Sequence, residues 1–196
     1  MVRESTVDTD AESAGRVPSP GDAELVAAIN AGSHAAFETL YRRHRDWVVN
    51  LAFRFTGDEA LALDVMQETF LYLLRKFPGF ELRAALRTFL YPAVRNLSLA
   101  ARRKAGRCQA GEGEEESLAN LPAPATSPAS DDDLAAVLET LPKPQREVLL
   151  LRFVDGFSLE EIAEALTIPL GTVKSRLHNA LKALREDPRT RLLLGE

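Results

Sequence analysis

The chain has 196 residues, 45% hydrophobic and 27% charged, with a net charge of −5, the balance of a folded protein and not of a chain disordered throughout. Its apolar runs, such as Leu149-Leu150-Leu151 and Leu192-Leu193-Leu194, fall far short of the about 20 residues a spanning helix needs, so no membrane insertion is expected. One cysteine, Cys108, and three scattered histidines exclude an internal disulfide and a Cys-rich zinc site, so no metal and no cofactor is expected.

Residues 1–21 are polar, with Pro18, Pro20 and Gly21, and are expected to be a disordered lead-in. Glu4, Asp8, Asp10 and Glu12 stand where a secretory signal would be apolar, which points to a cytoplasmic protein. Asp22 can cap a short helix through Leu25 and Ile29 to Ala31. A longer helix follows Ser33, because Phe37, Leu40, Tyr41, Val48, Leu51 and Phe55 recur at helical steps until Gly57. Asp58 caps a third, in which Leu61, Val65, Thr69 and Leu73 form one stripe and Met66, Phe70 and Leu74 a second. Two stripes predict burial on more than one side, or one side offered to a partner. Pro78-Gly79 is expected to end that helix. A fourth runs through Phe89, Leu90, Ala93, Val94 and Leu97 into Arg102-Arg103-Lys104. Pro92 costs about 3 kcal/mol in a helix interior, which predicts a kink or a start close to Thr88.

Gly111, Gly113, Pro122, Pro124 and Pro128 punctuate a stretch with few large apolar residues, so residues 108–130 read as a flexible linker. Beyond it, Asp131-Asp132-Asp133 suits the positive end of a helix carrying Leu134, Val137, Leu138 and Leu141. Pro144 opens another helix that Gly156 closes, with Val148, Leu150 and Leu151 inward. Ser158-Leu159-Glu160-Glu161 is a capping box for a short helix with Ile162 and Leu166 inward. Thr167-Ile168-Pro169 turns the chain into a last helix through Val173, Leu177, Ala180, Leu181 and Leu184. No segment alternates as a strand does. The expected fold is all-α, with two small helical bundles, residues 22–107 and 131–196, joined by a flexible acidic linker.

Charge divides along the same boundaries. Residues 23–109 carry 13 basic and 8 acidic side chains, residues 110–140 carry 8 acidic and no basic ones, and residues 141–196 carry 9 and 8. The basic block is the expected place for nucleic-acid contact. Ser158 to Leu184 has the pattern of a helix-turn-helix, with Ala163 small enough for a close helix crossing. Its second helix offers Thr172, Lys174, Ser175, Arg176, His178 and Asn179 away from the apolar side. Those side chains can bond phosphates and base edges in a major groove.

The segment Ile168-Pro169-Leu170-Gly171-Thr172-Val173-Lys174-Ser175-Arg176-Leu177-His178 resembles the DNA-reading helix of bacterial sigma factors of the extracytoplasmic-function (ECF) group. Leu141-Pro142, Glu147-Val148 and Leu159-Glu160-Glu161-Ile162-Ala163 are similar to the rest of that domain, region 4. Response regulators of the LuxR type carry a similar helix-turn-helix, so the first half of the chain decides. There, Asp64-Val65-Met66-Gln67-Glu68-Thr69-Phe70 resembles the D-x-x-Q-E-x-F core of sigma region 2, which docks on the clamp helices of RNA polymerase. Tyr41-Arg42-Arg43, Phe55-Thr56-Gly57-Asp58 and Ala93-Val94-Arg95-Asn96 also fall where that family has similar residues.

The resemblance implies core RNA polymerase and promoter DNA as partners, an anti-sigma factor such as commonly holds ECF members, and no catalytic activity. It implies polymerase contact by Asp64, Gln67, Glu68 and Phe70, with the first three sharing one helix face. It implies −35 recognition by the last helix, and −10 recognition and melting by Phe80, Asn96, Arg102, Arg103 and Lys104, since unstacked bases need aromatic platforms and basic grooves. The acidic linker, with Glu112, Glu114, Glu115 and Glu116, resembles single-stranded RNA electrostatically and is implied to enter the channel that RNA later occupies. Phe89, Pro92, Ala100 and Asn179 depart from the family's usual residues and bear on which promoter is read. Two other classes compete. A helix-turn-helix regulator acting without polymerase leaves Asp64–Phe70 unexplained, and an enzyme finds no H-E-x-x-H, P-loop or nucleophile elbow.

Overall fold

The computed structural model describes residues 20–110, 136–187 and 190. The expected lead-in, apart from Pro20 and Gly21, most of the expected linker and the Asp131-Asp132-Asp133 triad lie outside them. The described residues are helical throughout their regular structure, as the periodicity predicts.

Helix α1 (Asp22–Asn30) is capped by Gly21, whose amide donates to Glu24 Oε2 at 2.9 Å. Asp22 is therefore not the cap. It lies in the first turn, where its carboxylate meets α2 (His34–Thr56), accepting Arg43 Nη1 at 2.6 Å and pairing with His44 Nε2 at 2.8 Å. Ser33 caps α2 by accepting the Ala36 amide, and Gly57, at φ 68, ends it in the left-handed conformation that glycine adopts without steric cost. Asp58 then accepts the Leu61 amide at 2.9 Å and starts α3 (Glu59–Leu74). Helix α3 stops before Pro78-Gly79, the expected end, because Arg75 and Lys76 close its last turn through Leu71 and Leu73 carbonyls. Helix α4 (Leu86–Ala110) begins two residues ahead of Thr88, runs through Pro92 and passes the boundary expected at 107.

Helices α2, α3 and α4 pack mutually, with α1 across α2. Leu40, Val48, Leu51, Ala62, Leu73, Leu90 and Val94 form the centre of that bundle, each at most 2% exposed. Their burial is the main force holding it, at about 25 cal/mol per Å² of apolar surface removed from water.

The second half comprises α5 (described over 136–140), α6 (Lys143–Phe153), α7 (Leu159–Leu166) and α8 (Leu170–Glu186). Pro144 occupies the first turn of α6, where its missing N–H costs nothing. The Ser158 capping box forms as expected: Ser158 Oγ accepts the Glu161 amide at 3.1 Å, and Glu161 Oε2 accepts the Ser158 amide at 2.7 Å. Thr167 takes the turn after α7 at φ 54, a strained conformation for a β-branched residue, while the Ile168 amide returns to the Ala163 carbonyl at 3.0 Å.

The two halves meet. One apolar cluster runs from Leu40 and Leu90 of the first bundle to Leu151, Phe157, Ile162 and Val173 of the second, with α7 lying on α4. At its centre the turn between α6 and α7 inserts into the first bundle. The Phe157 ring is 3% exposed and lies 6.2 Å from Trp47 and 6.3 Å from Tyr91. The buried Asp155 carboxylate accepts Trp47 Nε1 at 2.8 Å and both of its oxygens take Arg54 Nη2 at 2.6 Å. Arg87 stacks on the Trp47 ring at 5.3 Å and donates to the Asp155 carbonyl at 3.4 Å. On the same face Glu147 Oε1 accepts Tyr91 Oη at 2.6 Å and Arg95 Nε at 2.9 Å. Burial, then the neighbouring Glu147 charge, push the Tyr91 hydroxyl well above its ordinary range, so it stays protonated and donates.

Candidate nucleic-acid interface

Helix α8 separates its faces cleanly. Val173 and Ala180 are buried and Leu177 and Leu181 partly so, whereas Lys174, Ser175, His178 and Asn179 are exposed. At about 100° per residue the exposed four form one stripe opposite the buried pair. Thr172 and Arg176 flank that stripe and are half-buried. The Ser175 hydroxyl donates to the Thr172 carbonyl at 3.0 Å, which leaves it to act as an acceptor. All six expected residues therefore lie on or beside one polar face. Gly171 sits on the same stripe, and a Cβ placed there would meet nothing within 4 Å. Its lack of a side chain has no packing reason and leaves the backbone at the start of α8 open to close approach.

The expected −10 residues divide. Asn96, Arg103 and Lys104 are exposed on α4. Arg102 is half-buried and donates from Nη1 to the Phe55 carbonyl at 3.2 Å, closing the C-terminal end of α2. Phe80 is half-buried, 4.8 Å from Phe89 and 5.5 Å from Phe77. Tyr72 stacks on Phe89 at 6.0 Å with 14° between rings, and Lys76 lies 4.8 Å above Tyr72. Phe80 is thus one of four clustered rings and not a lone platform. The loop bearing it is held by Asn30, which accepts the Gly79 and Phe80 amides at 2.7 and 3.2 Å and donates to the Phe80 carbonyl at 2.9 Å. Sequence reasoning missed Asn30, because contacts about fifty residues apart leave no periodic signal; it also missed Tyr72 and Lys76, for which a ring and a cation four residues apart were a local signal.

On α3, Asp64, Gln67 and Glu68 are exposed along one face, as expected. Phe70 is the correction: it is 4% exposed and edge-on to Tyr41 at 4.8 Å, so it belongs to the core and supports the face from behind. The apolar part of the face comes instead from Leu63, Leu71 and Leu74, 42%, 45% and 46% exposed, with Tyr72 beside them. Exposed leucines grouped on one helix face are a candidate protein-docking surface. The second apolar stripe signalled that choice without deciding it, and of that stripe only Leu74 points outward.

Comparison with known proteins decides the family. Residues 40–108 match Sigma-70 region 2 and residues 131–184 match Sigma-70, region 4. The chain is 36% identical over 168 residues to the ECF RNA polymerase sigma factor SigL of Mycobacterium tuberculosis, covering 82% of this chain and 93% of that one. The chain belongs to the ECF group of sigma-70 factors. It is also 31% identical over 173 residues to the ECF RNA polymerase sigma factor SigE of Mycolicibacterium smegmatis, spanning 85% of this chain but 66% of the longer SigE. Among solved structures, the sigma factor RpoE of Bartonella quintana, in complex with the anti-sigma factor NepR, matches with a TM-score of 0.56 and 27% identity, over 81% of this chain and 96% of that one. CnrH, in complex with the cytosolic domain of CnrY, shares the fold at a TM-score of 0.61 and 24% identity, over 89% of this chain and 97% of that one. Among the described residues no helix is long and apolar enough to cross a membrane.

Proposed function

We propose that this ECF sigma factor works in the cytoplasm, binding core RNA polymerase and directing it to promoters whose −10 element is read and melted by residues 22–107 and whose −35 element is read by residues 131–196. Residues 108–130 connect the two. The observation that carries the reading is the pairing, on one chain, of two surfaces with different chemistry. The α3 face mixes Asp64, Gln67 and Glu68 with exposed leucines and suits a protein. The α8 face presents Lys174, Ser175, His178 and Asn179 and suits a DNA groove. Exposed Asn96, Arg103 and Lys104 supply a basic, hydrogen-bonding edge for the melted strand. The role is binding and positioning, with no covalent step assigned to the chain. The complex of the sigma factor RpoE with the anti-sigma factor NepR supports an anti-sigma partner here too.

The deciding experiment adds the purified chain to sigma-free core polymerase and maps transcription start sites on a promoter library. Discrete start sites are expected, and Lys174→Ala with Arg176→Ala should weaken promoter binding and lower the slope of log K against log salt by about 2, near 0.9 per phosphate contact. Start sites no different from those of core polymerase alone would overturn the reading in favour of a regulator that works without the enzyme.

A further inference from the structure

We propose that Asn30 is a positioning residue for −10 recognition: its carboxamide fixes the backbone of Gly79 and Phe80, and with it the loop that carries Phe80 and joins α3 to α4. The proposal rests on the reading that residues 22–107 serve the −10 element.

A loop positions its side chains less precisely than a helix does unless further contacts hold it. Residues 78–84 lie between the two helices, and among the described residues no backbone–backbone hydrogen bond reaches them. Asn30 supplies what is missing. Its Oδ1 accepts the Gly79 amide at 2.7 Å and the Phe80 amide at 3.2 Å, and its Nδ2 donates to the Phe80 carbonyl at 2.9 Å. One carboxamide thus takes both backbone groups of Phe80. Asparagine side chains usually bond backbone within a few residues of themselves, whereas these bonds cross 49 or 50 positions. Asparagine is also a poorer helix former than alanine, so α1 itself gives no reason for it.

The helix that carries Asn30 is held firmly. Leu25, Val26 and Ile29 are buried where α1 packs on α2. Asp22 ties the first turn to Arg43 and His44, and the amides of Ala31, Gly32 and Ser33 close the last turn on the carbonyls of Ala27, Ile29 and Ala28. At and beyond the clamp the loop carries groups suited to an unstacked base. The Phe80 ring lies 4.8 Å from Phe89, and Glu81 and Arg83, paired at 3.2 Å, have side chains 76% and 86% exposed. A ring can stack on a base, and a carboxylate or guanidinium can bond its edge. Where these groups stand depends on the Phe80 backbone, so a shift there moves them together.

The test reconstitutes core polymerase with the full chain, wild type or Asn30→Ala, and measures start-site use on templates randomised at the −10 element and, separately, at the −35 element. In the wild type a wrong −10 base should lower template use on the order of tenfold, and in Asn30→Ala by about twofold or less. Preference at −35 and affinity for core polymerase should stay as in the wild type. Hydrogen exchange reads the clamp directly: the Gly79 and Phe80 amides should exchange about tenfold faster in Asn30→Ala, with α1 and α2 unchanged. Asn30→Asp keeps the acceptor and loses the donor, so it should protect both amides and fall between the other two in −10 discrimination. Should Asn30→Ala fail to fold, Asn30→Asp decides by the same measurements. A folded variant with the wild-type −10 preference would overturn the proposal, as would unchanged exchange of both amides in Asn30→Ala. Equal losses at −10 and −35 would also overturn it, being the mark of a residue that only stabilises the fold. A wild-type chain that gives core polymerase no start-site selection would overturn the sigma reading and with it this role, while amide exchange still reports whether Asn30 holds the loop.

Discussion

His44 lies on α2 with its ring 4% exposed, its Nε2 against Asp22 and its Nδ1 buried with no partner among the described residues. Burial lowers its pKa from the ordinary 6.5, and the Asp22 carboxylate offsets only part of that. Its folded pKa is therefore below its unfolded one. Above 6.5 both states hold a neutral ring, and as pH falls the unfolded chain takes up the proton first, so stability declines. Urea unfolding at about pH 7.5 and about pH 5.5 should show a loss in the wild type that is smaller in His44→Gln, after allowing for the rest of the chain. Equal losses would mean His44 is not the group responsible. The sequence showed His44 only as one of three isolated histidines. Its partner, Asp22, was read as a helix cap, because competition for its carboxylate between a local amide and the distant Arg43 guanidinium and His44 ring cannot be judged before α1 is placed on α2.

At the scale of elements, caps decide where helices begin and exposure decides what they do. Asp58 and Ser158 were legible as caps because a cap acts within four residues. The outward face of α3 was less legible, since Leu63, Leu71 and Leu74 look like core residues until α2 and α4 occupy the other sides. Leu71→Asp should leave thermal unfolding almost unchanged, as expected of an exposed site, and should abolish comigration with core polymerase in gel filtration. Retained comigration would show that docking does not use this face. On α8, Gly171→Ala meets open space and gains helix propensity, so stability should rise by about 0.5–1 kcal/mol. Promoter affinity should fall if the bare backbone approaches a phosphate; unchanged affinity would show that glycine's absent side chain serves no contact there.

At the scale of the whole molecule, the contact between the two halves gains from their being carried on one chain. Two domains carried on one chain meet at an effective concentration on the order of 1 mM, so an interface worth about 4 kcal/mol is half formed. Burying one phenylalanine contributes about 1.5–3 kcal/mol and hydrogen bonds to charged groups about 1.5–3 each. Phe157, Asp155 and Glu147 together exceed that threshold. Such an interface rests on fewer buried apolar side chains than the core of the first bundle. In a urea titration Trp47 emission should shift before far-UV circular dichroism reports helix loss, and Asp155→Asn should bring that early shift to lower urea. Coincident transitions in both proteins would show that docking and folding are one event.

By itself the sequence determined the all-helical class, nearly every helix, the helix-turn-helix and the family, because periodicity, caps and contiguous motifs act over a few residues of chain. The tertiary structure alone decided which side of α3 faces outward, that Phe70 is buried, that Asn30 holds the Phe80 loop, and that Asp155 and Glu147 join the two halves. Those contacts link residues about thirty to more than a hundred positions apart. The spacing of one carboxylate from a distant arginine carries no signal until packing has brought their helices together.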